Sequence, residues 1–229
     1  MRSVSERYQK LWMDPQHVRE TKVTIAGRVY GEDRIYDCCT DGGILSDLGI
    51  GNCYARELDL TVEPEGDIPR MAEVAVSVRL VCGNESSEWV PCGVFYVDTR
   101  SVDEGNGLLS IHGFDAMLKA EARWLDPSED TGEWPMPQAA AAADIARRMG
   151  VSLDPRTRIE PSYRVEYPND LTMREVLGHI AAAHGGNWLM TGEGKLLLAP
   201  VGAMPEETRF LVDGADGGAI LFGEVRIIV

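Results

Sequence analysis

The chain is poor in the side chains that carry most enzyme chemistry. It has four histidines and five cysteines in 229 residues. No two cysteines stand at CxxC spacing, which argues against a zinc site. There is no HExxH, and His179 and His184 are spaced so that they do not share one helix face. There is no GxSxG, and no serine has a supporting His/Asp setting. The runs DGG (41–43), GIGN (49–52) and GEGK (192–195) lack the spacing of a phosphate-binding loop and read as plain turns. His112 lies in an alternating segment and reads as a satisfied sheet residue. The acidic pairs Asp59/Glu63 and Asp98/Asp103 read as solvated strand faces rather than glycosidase carboxylates, because such pairs arise by chance in an acidic chain. No catalytic residue, metal ligand or cofactor is expected.

Positive charge is also scarce. Lys and Arg number 22 against 37 Asp and Glu, for a net charge of −15. That excess repels phosphate backbones and excludes a general nucleic-acid binder. It suits solubility, or a passage through which a polyanion slides without sticking. Long apolar runs are missing: no stretch can span a bilayer, so no stable membrane binding is expected. The N-terminus, MRSVSERYQKLWMDP, lacks the apolar region of a secretory signal, so synthesis and folding in the cytoplasm are expected. Cys38, Cys39, Cys53, Cys82 and Cys92 are odd in number and include an adjacent pair, which predicts reduced thiols packed as small hydrophobes.

What is present is strand periodicity. Residues 57–62 alternate Leu58, Leu60 and Val62 with polar neighbours, and 73–80 alternate Val74, Val76, Val78 and Leu80 with Ala75, Ser77 and Arg79. In 22–30 the same period places Val23, Ile25 and Val29 on one side and Thr24, Arg28 and Tyr30 on the other. Turn clusters at 41–43, 49–52, 63–67 and 83–87 separate these strands. Val94–Thr99 and Leu108–Gly113 flank the loop DEGNG (103–107), and Asp115 can then cap a short helix in which Phe114, Met117 and Leu118 share a face.

Composition shifts after residue 120. LDPSEDTGEWPMP (125–137) is an acidic, proline-bearing loop flanked by Trp124 and Trp134, which are candidates to anchor it to the protein body or to a partner. Pro137 and the alanine run predict a helix that Gly150 caps. Thr172 and Glu175 form a capping box at the head of a second helix, with Val176, Leu177, Ile180 and Ala181 on its apolar stripe and Gly185-Gly186 at its end. Trp188–Met190 and Lys195–Leu198 read as a hairpin. Strands are again expected at Phe210–Val212 and in EVRIIV around a DGADGG turn. The predicted class is α+β, mainly β. The predicted units are a β-rich domain at 1–120, an α+β insertion of two helices and a hairpin at 121–200, and strands at 201–229 that begin a second β domain or complete the first.

Three stretches carry a family resemblance: KVTIAGRVYGEDRI with SDLGIGNCYARELDLTV; CGVFYVDTRSVDEGNGLLSIHGFDAMLKAEA; and YPNDLTMREVLGHIAAAHGGNWLMTGEGKLLLAPV. In this order they resemble the tail-tip hub (tail-associated, baseplate hub) proteins of bacteriophages and prophages. Gly93, Phe95, Phe114, Asp115 and Met117 stand at that family's recurring strand and helix-start positions. The resemblance implies a β-barrel-like tube domain with an inserted α+β domain and a second tube domain after it. It implies a structural, non-enzymatic homotrimer whose ring joins the tail tube to the adsorption apparatus of the virion. The implied partners are further copies of the chain, a distal tail or tail tube protein, a tape-measure protein and receptor-binding proteins, with DNA only in transit. The alternatives are the hub of a related contractile injection device that delivers protein, and a non-catalytic part of a tail-associated cell-wall hydrolase.

Overall fold

The computed structural model describes residues 4–42, 49–126, 133–201, 221–222 and 225–226. The expected strand at Phe210–Val212, the DGADGG turn and residues 127–132 of the 125–137 loop lie outside the described residues. Contacts divide the chain into two compact units, Met1–Ala199 and Pro200–Val229. In the second, β13 (Leu221–Phe222) pairs with β14 (Val225–Arg226).

The first unit opens with α1 (Glu6–Trp12). Ser5 caps it by accepting from Tyr8 N–H, and the Ser5 N–H and hydroxyl donate to the Glu88 carboxylate at 2.8 and 2.6 Å. An antiparallel sheet follows: β1 (Val18–Ile25), β2 (Arg28–Tyr30), β3 (Ile35–Asp41), β4 (Glu57–Val62), β5 (Glu73–Cys82), β6 (Glu85–Ser86), β7 (Val90–Val102) and β8 (Leu109–Asp115). Its order is β2-β1-β5-β7-β8-β4-β3, with β6 attached to the end of β5. Val23, Tyr30, Leu58, Leu60, Val74, Phe95 and Ile111 belong to one buried cluster although they come from strands across the whole sheet. One face of a single sheet can make such a cluster only by curling. The curl is barrel-like, but the sheet path ends at β2 and β3, which do not pair with each other.

Residues 22–30 correct the sequence reading. They form a hairpin, not one strand: Ala26 (φ 48°) and Gly27 (φ 82°) make a two-residue turn with positive φ at both positions, and Ile25 pairs with Arg28. Reversal changes the parity. Val29 pairs with Thr24 and is 61 % exposed, whereas Tyr30 pairs with Val23 and is fully buried. The helix after Asp115 is a 3₁₀ helix (Ala116–Glu121), and Phe114 lies in β8, not on a helical face.

The rest of the first unit comprises β9 (Met136–Pro137), α2 (Gln138–Met149), β10 (Arg164–Val165), α3 (Met173–Ala183), β11 (Gly186–Met190) and β12 (Leu196–Pro200). Gly150 ends α2 at φ 74°, where a left-handed residue is needed. The Thr172 hydroxyl accepts from Glu175 N–H while the Glu175 carboxylate accepts from Thr172 N–H, a complete capping box. The second core unites Ile145, Met149, Leu177, Ile180, Trp188 and Leu196 with Tyr96, Ala116, Met117 and Ala120. Along β7, then, Phe95 and Val97 face the curled core while Tyr96 faces the second one. One strand is the wall between both.

GIGN at 49–52 is not a plain turn. Gly51 N–H donates to Gly186 O, Trp188 N–H to Asn52 O and Tyr54 N–H to Trp188 O, at 2.8, 2.8 and 3.0 Å. The segment runs parallel to β11 as a strap from the sheet to the helical region. It passes so close to α3 that a Cβ on Gly51 (φ 85°) would stand 3.0 Å from Ala182 Cβ.

Candidate functional site: a buried junction and two open sheet edges

Asp115 ends β8 and starts the 3₁₀ helix. Its carboxylate accepts from Met117 N–H at 3.0 Å and from Arg56 N–H at 2.9 Å, and its own N–H donates to Arg56 O. Arg56 in turn donates from Nη1 to Cys92 O at 2.7 Å and lies over the Phe95 ring at 5.4 Å. Burial pushes the Asp115 carboxyl up to about 6, against the opposing pull of the two N–H donors and of Arg56 and Arg174. Arg56 escapes a reading of the sequence because its partners lie 36 and 59 residues away, with no local signal.

Gly93 and Phe95 belong to the same junction. The Phe95 ring lies back over Gly93 so closely that a Cβ there would stand 2.4 Å from Cε2. Phe95 is fully buried, so the ring has no free rotamer to take. Gly93→Ala is therefore expected to lower the unfolding free energy by about 1–3 kcal/mol. Chemical denaturation followed by circular dichroism checks this, and Gly93→Ala/Phe95→Leu should recover part of the loss. Met117 is fully buried in the second core. Phe114 is on the opposite face of β8 from the curled core, edge-on to His112 at 4.9 Å. The junction thus holds Gly93, Phe95, Asp115 and Met117 but not Phe114, and Thr172 and Glu175 serve α3 elsewhere.

Of the two roles expected for Trp124, an anchor to the protein body or to a partner, its burial matches the first. The side chain is 1 % exposed, and its Nε1–H donates to Asp144 at 2.9 Å, so it is core and offers no surface to a partner. Trp134, half-buried, stacks edge-on against Trp124 at 5.8 Å and Tyr167 at 5.3 Å.

Among the described residues reactive chemistry is thin. Burial pushes the Cys38 thiol up to about 11 and Cys53 up to about 12, which keeps both protonated and weakly nucleophilic at neutral pH. His112 Nδ1 lies 2.8 Å from Asp59 beside a shallow cavity of about 190 Å³ whose lining includes Thr99, Ser101 and Ser110. His184 is held by its own helix and neighbours, with Nδ1 at 2.8 Å from Ile180 O and Nε2 accepting from Glu160 N–H. Among the described residues no group of three His, Cys, Asp or Glu can hold a metal ion, and no helix is long and apolar enough to cross a membrane.

The remaining surface of note is the pair of sheet edges. Among the described residues β3 pairs only with β4, and β1 is covered by β2 at Val23–Ile25, with Glu32 accepting from Thr21 N–H at 3.0 Å beyond it. Unpaired edges are sites where another chain can add.

Neither a family model nor a curated protein matches this sequence. Solved structures do. The 43 kDa tail protein of prophage MuSo2 from Shewanella oneidensis superposes with a TM-score of 0.54 and 16 % identity, over 84 % of this chain and 59 % of that one. The tail protein from Neisseria meningitidis MC58 superposes with a TM-score of 0.51 and 15 % identity, over 88 % of this chain and 58 % of that one. The likeness is one of fold, and it supports the mainly β, α+β class. The chain spans about three-fifths of the length of these proteins.

Proposed function

We propose that this chain is a structural component of a phage or prophage tail, the hub of the tail tip. In this reading three copies form a ring that joins the tail tube to the adsorption apparatus and lets DNA pass. The ring contacts a distal tail or tail tube protein, the tape-measure protein and receptor-binding proteins. The observation that carries the reading is the shared fold with a prophage tail protein over 84 % of the chain. The open edges of the sheet and the thin reactive chemistry of the described residues support a part that is assembled rather than one that turns over substrate.

Electron microscopy of particles labelled on this chain tests the proposal. The label is expected at one end of the tail, and deletion of the chain is expected to stop tail assembly. Complete, infective tails that lack the chain would overturn the reading.

A further inference from the structure

β4, β8 and β7 are neighbours in the sheet, and their register sets two polar rows on the face away from the curled core. Asp59 of β4 stands opposite His112 of β8, and His112 stands opposite Thr99 of β7. In the next row Ser110 stands opposite Ser101. An irregularity in β7 makes this arrangement. The register shifts between Val97 and Thr99, so that Asp98 is passed over in the pairing with β8. Val97 faces the core, so in a regular strand Asp98 and Arg100 would face outward beside His112 and Ser110. The extra residue reverses the parity and puts Thr99 and Ser101 there instead. Bulges of this kind re-aim side chains and are enriched next to functional sites.

Asp59, Thr99, Arg100, Ser101, Ser110 and His112 line the cavity of about 190 Å³. Two contacts fix the His112 ring: Nδ1 lies 2.8 Å from the Asp59 carboxylate, and Phe114 stands edge-on at 4.9 Å. A carboxylate only accepts, so Nδ1 carries the proton and Nε2 is left as an acceptor. Nε2 and the hydroxyls of Thr99, Ser101 and Ser110 have no hydrogen-bond partner among the described residues. Arg100 uses Nη1 on Asp67 at 2.9 Å. The cavity thus sets acceptors and donors side by side on three strands. An anion would meet the Asp59 carboxylate there, and a cation would meet the Arg100 guanidinium. A neutral ligand with closely spaced hydroxyls, each both donor and acceptor, meets neither penalty. That is the chemistry of a sugar ring. We propose that this cavity binds one saccharide unit. His112 Nε2 and the Asp59 carboxylate accept from its hydroxyls, and Thr99, Ser101, Ser110 and Arg100 donate to them. The site goes beyond the tail reading and does not depend on it.

The test is an NMR titration of the 229-residue chain with D-glucose, D-galactose and N-acetyl-D-glucosamine. It reads the Cε1–H signal of His112, assigned by its loss in His112→Gln. At least one sugar is expected to shift the signal saturably, with a Kd on the order of 1–10 mM for so open a site. Thr99→Val keeps the shape and suits a strand but loses the hydroxyl, and should bind at least about threefold more weakly. Asp59→Asn loses the charged acceptor and should bind about tenfold more weakly. Thr99→Ser keeps the hydroxyl and should bind within about twofold of the wild type. Circular dichroism checks that each variant folds. No saturable shift with any of the three sugars overturns the proposal. Binding that Thr99→Val and Asp59→Asn leave unchanged also overturns it, because the sugar then sits elsewhere. Saturation by arginine amide or inorganic phosphate, with none by the sugars, overturns the saccharide assignment. Each of these results leaves the tail reading standing.

Discussion

Trp188→Ala is expected to cost about 3–5 kcal/mol of stability, on the order of half of what a domain of this size has. Trp188 is fully buried in the second core. Its Nε1–H donates to Leu177 O at 2.8 Å, and its backbone pairs with Asn52 and Tyr54 of the strap. Removing the indole empties a large volume between α3 and β11 and takes away the side chain that fixes the strap's register. Trp188→Phe keeps most of the volume and loses the hydrogen bond, so its cost should be smaller, about 1–2 kcal/mol. Urea denaturation followed by far-ultraviolet circular dichroism measures both. A loss below about 1 kcal/mol for the alanine variant would mean that the core collapses around the site and that the strap is held by its backbone alone.

Asp115 has an effect of similar size and a pH dependence of defined sign. Asp115→Ala orphans two N–H groups, those of Arg56 and Met117, and should cost about 2 kcal/mol near pH 7.5. Burial raises this carboxyl from 3.8 to about 6, so the folded chain holds the proton more tightly than the unfolded chain. Its stabilising contribution is therefore full below about pH 3.8 and is lost as pH rises through about 6. Relative to Asp115→Ala, the wild type should gain about 2 kcal/mol on going from about pH 7.5 to about pH 4.5. Paired denaturation curves at the two pH values read this difference directly. A gap that narrows on acidification would show that the two N–H donors outweigh burial.

The strands at 57–62 and 73–80 were legible because a half-buried strand writes its period locally: each second side chain is apolar and its burial follows. The capping box of Thr172 and Glu175 and the Gly150 stop were legible for the same reason, since both ends of each interaction lie within a turn. The hairpin at 22–30 is not legible in the sequence because Ala-Gly is a weaker turn signal than Asn-Gly, and one hidden reversal sends Tyr30 inward and Val29 outward. The strap at 49–54 is not legible in the sequence because its partner, β11, is far away along the chain, and glycine-rich runs look alike whether they turn or pass close to a helix. The sequence suggests a helical Phe114, but its register with Tyr96 and Glu57 prolongs β8 beyond the point where alternation fades.

By itself the sequence determined the mainly β class, the acidic balance, the Gly150 stop of α2 and the capped start of α3, and the side chains that face a core in β4 and β5. All of these rest on interactions between residues a few positions apart or on sums over composition. Only the tertiary structure decided that β7 separates two cores, that Arg56 and Asp115 lock the sheet to the region of α2 and α3, and that Trp124 is core and not surface. Those facts depend on which strands become neighbours. Pairing order is set by the burial of the whole apolar face at once, and no local stretch of the chain encodes it.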